Sequence, residues 1–229
     1  MPKRIIVIAG NIGAGKTSLA ERLGARLGWV TAYESVSDNP YLPDFYADMR
    51  QWSFHLQVFF LGHRSQQFLQ MAQMPQSVIF DRSIYEDAEI FANNLYQQGA
   101  LSIRDFETYQ NLYRILTEFL PPPDLVIYLR ASVETLVKRI SMRGRDFEKS
   151  IAPEYLTQLN TLYENWIKAF TLCPVLTVPA DDLDYVAHPP HLELIVKKVQ
   201  DKLTGKDEVI FAPEEVAALN QDPPIAVQQ

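Results

Sequence analysis

Five short apolar runs punctuate the 229-residue chain: Ile5 to Ala9, Trp29 to Tyr33, Val78 to Phe80, Leu125 to Leu129 and Val175 to Val178. Unbroken runs of this length suit strands buried on both faces of a parallel sheet. Helix-length segments separate them. Between the second and third runs, Arg50 to Gln73 reads "RQWSFHLQVFFLGHRSQQFLQMAQ", where Trp52, Leu56, Phe59, Phe60 and Leu61 interleave with polar residues at helical spacing. Further helices are predicted over Ile84 to Tyr96, over Ser102 to Phe119 ahead of three consecutive prolines, and over Pro153 to Phe170, which has proline at its start. Strands alternating with helices predict an α/β fold, a five-stranded parallel sheet flanked by helices, in one domain over residues 1–203. From about Thr204 the chain turns acidic and proline-bearing and ends "NQDPPIAVQQ", which predicts a loosely ordered tail over 204–229.

Charge narrows the functional classes. Acidic residues outnumber basic ones by 28 to 21, and the net charge of −7 disfavours a general role on nucleic acid or on an anionic membrane. With 47% hydrophobic residues the chain is not disordered, and no apolar run approaches the length of a membrane span. A single cysteine, Cys173, and four scattered histidines provide neither a disulfide framework nor zinc-ligand spacing. These features lead us to expect a soluble, cytoplasmic protein in which any phosphate chemistry is local.

That chemistry is signalled directly after the first run. "GNIGAGKTS" satisfies G-x-x-x-x-G-K-[ST] and opens straight into the helical "TSLAERLGARLG". In such a loop the backbone of Gly10, Asn11, Ile12, Gly13, Ala14 and Gly15 turns N–H groups onto phosphate oxygens, assisted by the helix N-terminus at Ser18. Lys16 would reach the terminal phosphates of ATP, and Thr17 would offer its hydroxyl to magnesium. The chain therefore reads as a nucleoside triphosphate binder.

Three classes of such proteins compete: a small-molecule kinase, a GTPase-like switch and a nucleotide-dependent regulatory module. "KRISMRGRDFEKS" favours the first, because Arg139, Arg143 and Arg145 around Gly144 form an arginine-rich lid able to converge on the transferred phosphoryl group. No N-K-x-D-like guanine reader is evident. Asp81 follows "SVIF" at a strand's carboxyl end, where a magnesium-positioning carboxylate is needed, and Arg82 beside it could bridge donor and acceptor oxygens. Glu34 follows the second strand and would face the same cleft, placed to take the proton of an attacking hydroxyl.

The motifs "GNIGAGKTS", "YESVSDNPYL", "WSFHLQ", "DRSIYED" and "RGRDFE", in this order and spacing, resemble the deoxynucleoside kinase family, in particular the bacterial deoxyadenosine/deoxycytidine kinases, over roughly Arg4 to Leu203. The resemblance implies phosphoryl transfer from ATP and Mg²⁺ to the 5′-hydroxyl of a 2′-deoxynucleoside, with Glu34 as general base and Arg82 at the reacting end. It assigns the sugar 3′-hydroxyl to Tyr46 and Glu148, the base edge to Gln57, an ion pair beside the base to Arg64 and Asp87, and the stacking ring to Phe91. Gln57 and Asp87 would accept adenine or cytosine, leave deoxyguanosine open, and disfavour thymidine. Family resemblance also implies a homodimer packed through long helices and inhibition by an end-product deoxynucleoside triphosphate. A nucleoside monophosphate kinase of the thymidylate kinase type, with Arg64 as phosphate grip, is the alternative within kinases. A non-kinase regulatory module is the alternative outside them.

Overall fold

The computed structural model describes residues 2–33, 39–145, 151–207 and 209–220. Five parallel strands, β1 (Ile5–Gly10), β2 (Val30–Ala32), β3 (Val78–Asp81), β4 (Leu125–Arg130) and β5 (Val175–Pro179), lie in the order β2-β3-β1-β4-β5. The central strand explains the first apolar run: Ile6, Val7, Ile8 and Ala9 have no exposed surface. Burying each of the three larger side chains contributes about 1.5–3 kcal/mol. Because side chains alternate across a strand, Val7 and Ala9 enter one core with Phe80, Tyr128 and Tyr163, while Ile6 and Ile8 enter a second with Leu19, Leu23 and Val178.

From β1 the chain passes through α1 (Lys16–Leu27) to β2 and β3 on one side, then crosses to β4 on the other. This reversal opens a crevice at the carboxyl ends of β1, β3 and β4, the place where open parallel sheets hold ligands. Ile8 of β1 is in register with Asp81 of β3 and with Ile127 of β4, so the polar end of β3 emerges beside the glycine loop.

The predicted helices are present with small shifts at their ends: α3 (Met49–Gln73), α6 (Ile103–Phe119) and α8 (Pro153–Ala169). Ser102 is the N-cap of α6, its hydroxyl accepting from the Asp105 N–H at 3.2 Å, and Asp48 caps α3 in the same way through Gln51. Two features depart from the expectation. A short helix, α2 (Leu42–Ala47), precedes α3 and carries Tyr46. The helix predicted over Ile84 to Tyr96 is not uniform: it runs as α4 (Ile84–Glu86), then as a π-helical turn over Asp87–Ala92, then as α5 (Asn93–Gln97). Single π-helical turns inside α-helices are frequent at functional sites.

The remaining helices are α7 (Val133–Arg143), α9 (Pro189–Leu203) and α10 (Pro213–Leu219). The last of these differs from the loose tail expected after Thr204. Its proline sits in the first turn with Glu214 and Glu215, Val216 is buried, and Lys198 of α9 meets Glu215 at 2.6 Å. A favourable helix start and apolar packing of Val216, Phe211 and Leu219 outweigh an acidic composition. Among the described residues no helix is long and apolar enough to cross a membrane.

Candidate active site

The glycine loop leaves β1 at Gly10 and returns into α1 at Lys16. Its conformation needs residues without a Cβ. Gly15 has φ 100°, and a Cβ there would lie 2.3 Å from the Tyr185 hydroxyl; Gly13 has φ 83°, and its Cβ would lie 2.9 Å from Ile140. Lys16 is buried, and its ammonium donates to the carbonyls of Gly10 (2.8 Å) and Asn11 (3.0 Å), which holds it folded inside the loop. Thr17 donates its hydroxyl to Asp81 Oδ2 at 2.5 Å. The other oxygen, Asp81 Oδ1, is buried and has no hydrogen-bond partner among the described residues. One free carboxylate oxygen beside a hydroxyl on a phosphate loop fits a hard, oxygen-seeking cation.

Arg82 follows with φ 80°, the one non-glycine residue in the left-handed region among those described. Such a conformation costs about 1–3 kcal/mol and persists where neighbours enforce it. Here the Arg82 N–H is held by Ile8 O at 3.1 Å and the next N–H, of Ser83, by Glu86 Oε2 at 3.0 Å. The turn brings the Arg82 guanidinium 4.5 Å from the centre of the Phe91 ring. Ser83 and Glu86 form a reciprocal capping box that starts α4.

Glu86 was not singled out from the sequence. It has no exposed surface, and its Oε1 accepts from the Gly10 N–H at 3.2 Å and from the Tyr163 hydroxyl at 2.8 Å. It thereby ties the first glycine of the loop, the Arg82 turn and α8 together. Burial pushes its carboxyl above the usual range, against the pull of the Arg82 and Lys16 charges. The motif Ser83-x-x-Glu86 was the sequence signal that could have found it.

A cavity of about 1070 Å³ opens along this loop. At one end it is lined by Gln57 and Arg64 of α3, by Asp87 and Phe91 of the π-helical turn, and by Tyr46. Gln57 and Arg64 fall on the buried stripe of α3 together with Leu56, Leu61 and Phe68. Polar side chains in a buried stripe mark a site more sharply than exposed ones do. Arg64 Nε and a terminal nitrogen reach the two oxygens of Asp87 at 2.6 and 3.2 Å. Gln57 Oε1 is buried with no partner among the described residues. Tyr46 is 39% exposed at the rim.

At the other end stand the lid arginines and the loop after β5. Arg143 closes α7 before Gly144, whose φ of 69° ends the helix, and Arg145 lies just beyond; both line the cavity. Arg139 also lines it, yet its terminal nitrogens donate to Ala14 O (3.0 Å) and Ala180 O (2.7 Å), so it fastens the glycine loop to the β5–α9 connection. Glu34 and Glu148, two of the residues singled out from the sequence, lie outside the described residues.

A phosphate loop, a carboxylate and arginine at the end of β3, and an amide with an ion pair at the far end of one cavity suit transfer of a phosphoryl group to a small polar acceptor. The chain is similar to known proteins over most of its length. A deoxyadenosine/deoxycytidine kinase of Bacillus subtilis is 40% identical over 202 residues, 87% of this chain and 93% of that protein. A deoxyguanosine kinase of the same organism is 41% identical over 204 residues, 86% of this chain and 96% of that protein. Deoxyadenosine kinase from M. mycoides, solved with the products dCMP and a flexible dCDP bound, superposes with a TM-score of 0.76 at 34% identity, covering 86% of this chain and 99% of that one. The model of the deoxynucleoside kinase family matches residues 6–204, nearly everything from β1 to the end of α9, and this chain belongs to that family.

Proposed function

We propose that the enzyme transfers the γ-phosphoryl group of ATP to the 5′-hydroxyl of 2′-deoxyadenosine or 2′-deoxycytidine, leaves deoxyguanosine open as a further acceptor, and disfavours thymidine. The observation that carries this reading is the buried, unpartnered Gln57 Oε1 set beside the Arg64–Asp87 pair. An amide presents one acceptor and one donor, so Gln57 can receive the exocyclic amino group of adenine or cytosine and donate to the adjacent ring nitrogen. Asp87, an acceptor only, adds a second place for an amino group. Thymine would bring a carbonyl there and leave lone pairs facing lone pairs. Phe91 stacks on the base, with Arg82 over the same ring carrying its guanidinium to the reacting end.

Tyr46 and Glu148 bind the 3′-hydroxyl in this reading, and Glu34 takes the 5′-hydroxyl proton. Lys16, Arg82, Arg143 and Arg145 spread the charge that develops on the phosphoryl oxygens. Thr17 and the free oxygen of Asp81 would hold Mg²⁺. Bound there, the ion neutralises donor phosphate charge. Arg139 acts indirectly, by keeping the loop against the β5–α9 connection.

The continuity of the cavity supports inhibition by a deoxynucleoside triphosphate lying across both ends. A homodimer is supported by α6, where Leu112, Ile115 and Phe119 share a face, three and four residues apart, and are 39%, 49% and 74% exposed. The arrangement of Arg64 speaks against a monophosphate acceptor, since the residue is 5% exposed and its guanidinium is engaged with Asp87. The test is ADP release with ATP and Mg²⁺ against the four deoxynucleosides and their monophosphates. Turnover with deoxyadenosine and deoxycytidine, little with thymidine, is expected. Turnover with monophosphates alone would overturn the acceptor assignment.

A further inference from the structure

The family match ends at residue 204, but the described chain continues through α10 to Asn220, which reaches the loop after β5. With the acceptor at the Gln57 end of the cavity, the donor nucleoside must lie at the other, against α7 and the loop Asp181–Val186 between β5 and α9. That loop is held at several points. Asp181 accepts from the Ser132 N–H at 3.0 Å, the Asp184 N–H donates to His191 Nδ1 at 2.9 Å, and the Tyr185 hydroxyl donates to Gly15 O at 3.0 Å. At Asp182 the fastening comes from outside the family match: its carbonyl accepts from Asn220 Nδ2 at 3.1 Å.

The segment that presents Asn220 is itself anchored. Val216 is 5% exposed and sits in one core with Leu183, Tyr185, Ile195 and Val199. Lys198 of α9 pairs with Glu215 and lies 6.0 Å from the centre of the Phe211 ring. Leu183 and Tyr185, which line the cavity, thus share their inner packing with α10. We propose that the segment Pro213–Asn220 braces the donor loop and raises affinity for the phosphate donor, without acting on the acceptor end. Ordering a loop before the ligand arrives removes part of the entropy cost of binding. This inference rests on the kinase reading, with Asn220 a positioning residue that acts through Asp182.

The experiment is equilibrium titration of ATP against the full chain, Asn220→Ala and a chain ending at Lys206, with the KM for deoxyadenosine or deoxycytidine and the melting temperature measured beside it. Asn220 is exposed, so its alanine variant retains the fold even if the shortened chain does not. The expected result is an ATP Kd raised about threefold in Asn220→Ala, as loss of one hydrogen bond implies, and more in the shortened chain, with the acceptor KM unchanged. An unchanged ATP Kd in Asn220→Ala would overturn the proposal, and so would a rise in acceptor KM equal to the rise in donor Kd. Because ATP binding is measured without turnover, absence of deoxynucleoside phosphorylation by the full chain would count against the kinase reading separately.

Discussion

Arg64 and Asp87 meet through two contacts, 2.6 and 3.2 Å, with side chains only 6% and 4% exposed. Breaking such a pair leaves an uncompensated buried charge, at a cost of about 3–5 kcal/mol. Asp87→Ala is therefore expected to lower the midpoint of chemical unfolding markedly. The double variant Arg64→Met/Asp87→Leu should recover most of that stability while losing base discrimination. Equal instability of the single and double variants would show that the pair matters through packing rather than charge.

Asp81→Asn keeps the size of the side chain but should weaken the proposed hold on Mg²⁺. The magnesium concentration for half-maximal activity should rise by about tenfold or more, with kcat at saturating magnesium down by roughly 100-fold. An unchanged magnesium titration would remove Asp81 from the metal site. Thr17→Ala should show the same direction with a smaller effect, because its hydroxyl is the neutral partner.

Glu86 gives a pH signature in stability. Burial raises its folded pKa above the ordinary 4.5, so between the two values the folded state holds the proton that the unfolded state has released. Its contribution is fully present below 4.5 and is lost as pH rises through the folded value. In Glu86→Gln that decline disappears. The stability of the variant relative to wild type should climb as pH rises from 4.5, measured by denaturant unfolding at stepped pH. A difference independent of pH would show that Glu86 titrates alike in both states.

At the alkaline end Tyr85, 3% exposed, is pushed by burial from 10.0 to about 12. Its proton is retained in the folded state after the unfolded chain has lost it, so stability falls as pH rises from 10 toward 12. Tyr85→Phe should flatten that slope, by up to about 1.4 kcal/mol per pH unit. An identical slope in the variant would contradict the shift.

Much of this organisation was legible beforehand, for physical reasons that can be named. β1, β3 and β4 are buried on both faces, and only unbroken apolar sequence can occupy such positions. The glycine loop was readable because backbone angles such as those of Gly13 and Gly15 exclude other residues. The π-helical turn over Asp87–Ala92 was not readable, since one extra residue per turn leaves no periodic mark in so short a segment. Glu86 escaped because a glutamate among charged neighbours reads as exposed, although its spacing from Ser83 is that of a capping box. The helix Pro213–Leu219 is hidden because its one proline and two acids suit a loose segment, although proline and glutamate in a first turn are also helix-start signals. Arg139 lines the cavity beside the glycine loop, as its place in the arginine-rich segment suggests; its bonds to Ala14 and Ala180 depend on how the glycine loop and the β5–α9 connection meet, which sequence spacing does not encode.

Gln57 and Asp87 are proposed to read an amino-bearing base at one end of the phosphate-loop cavity. The most direct measurement is the ratio of kcat/KM for deoxycytidine to that for thymidine, in wild type and in Gln57→Leu. The expected ratio is at least about 100 in wild type, falling by at least tenfold in Gln57→Leu mainly through loss of deoxycytidine turnover. A ratio near one in wild type, or one that survives the substitution intact, would contradict it.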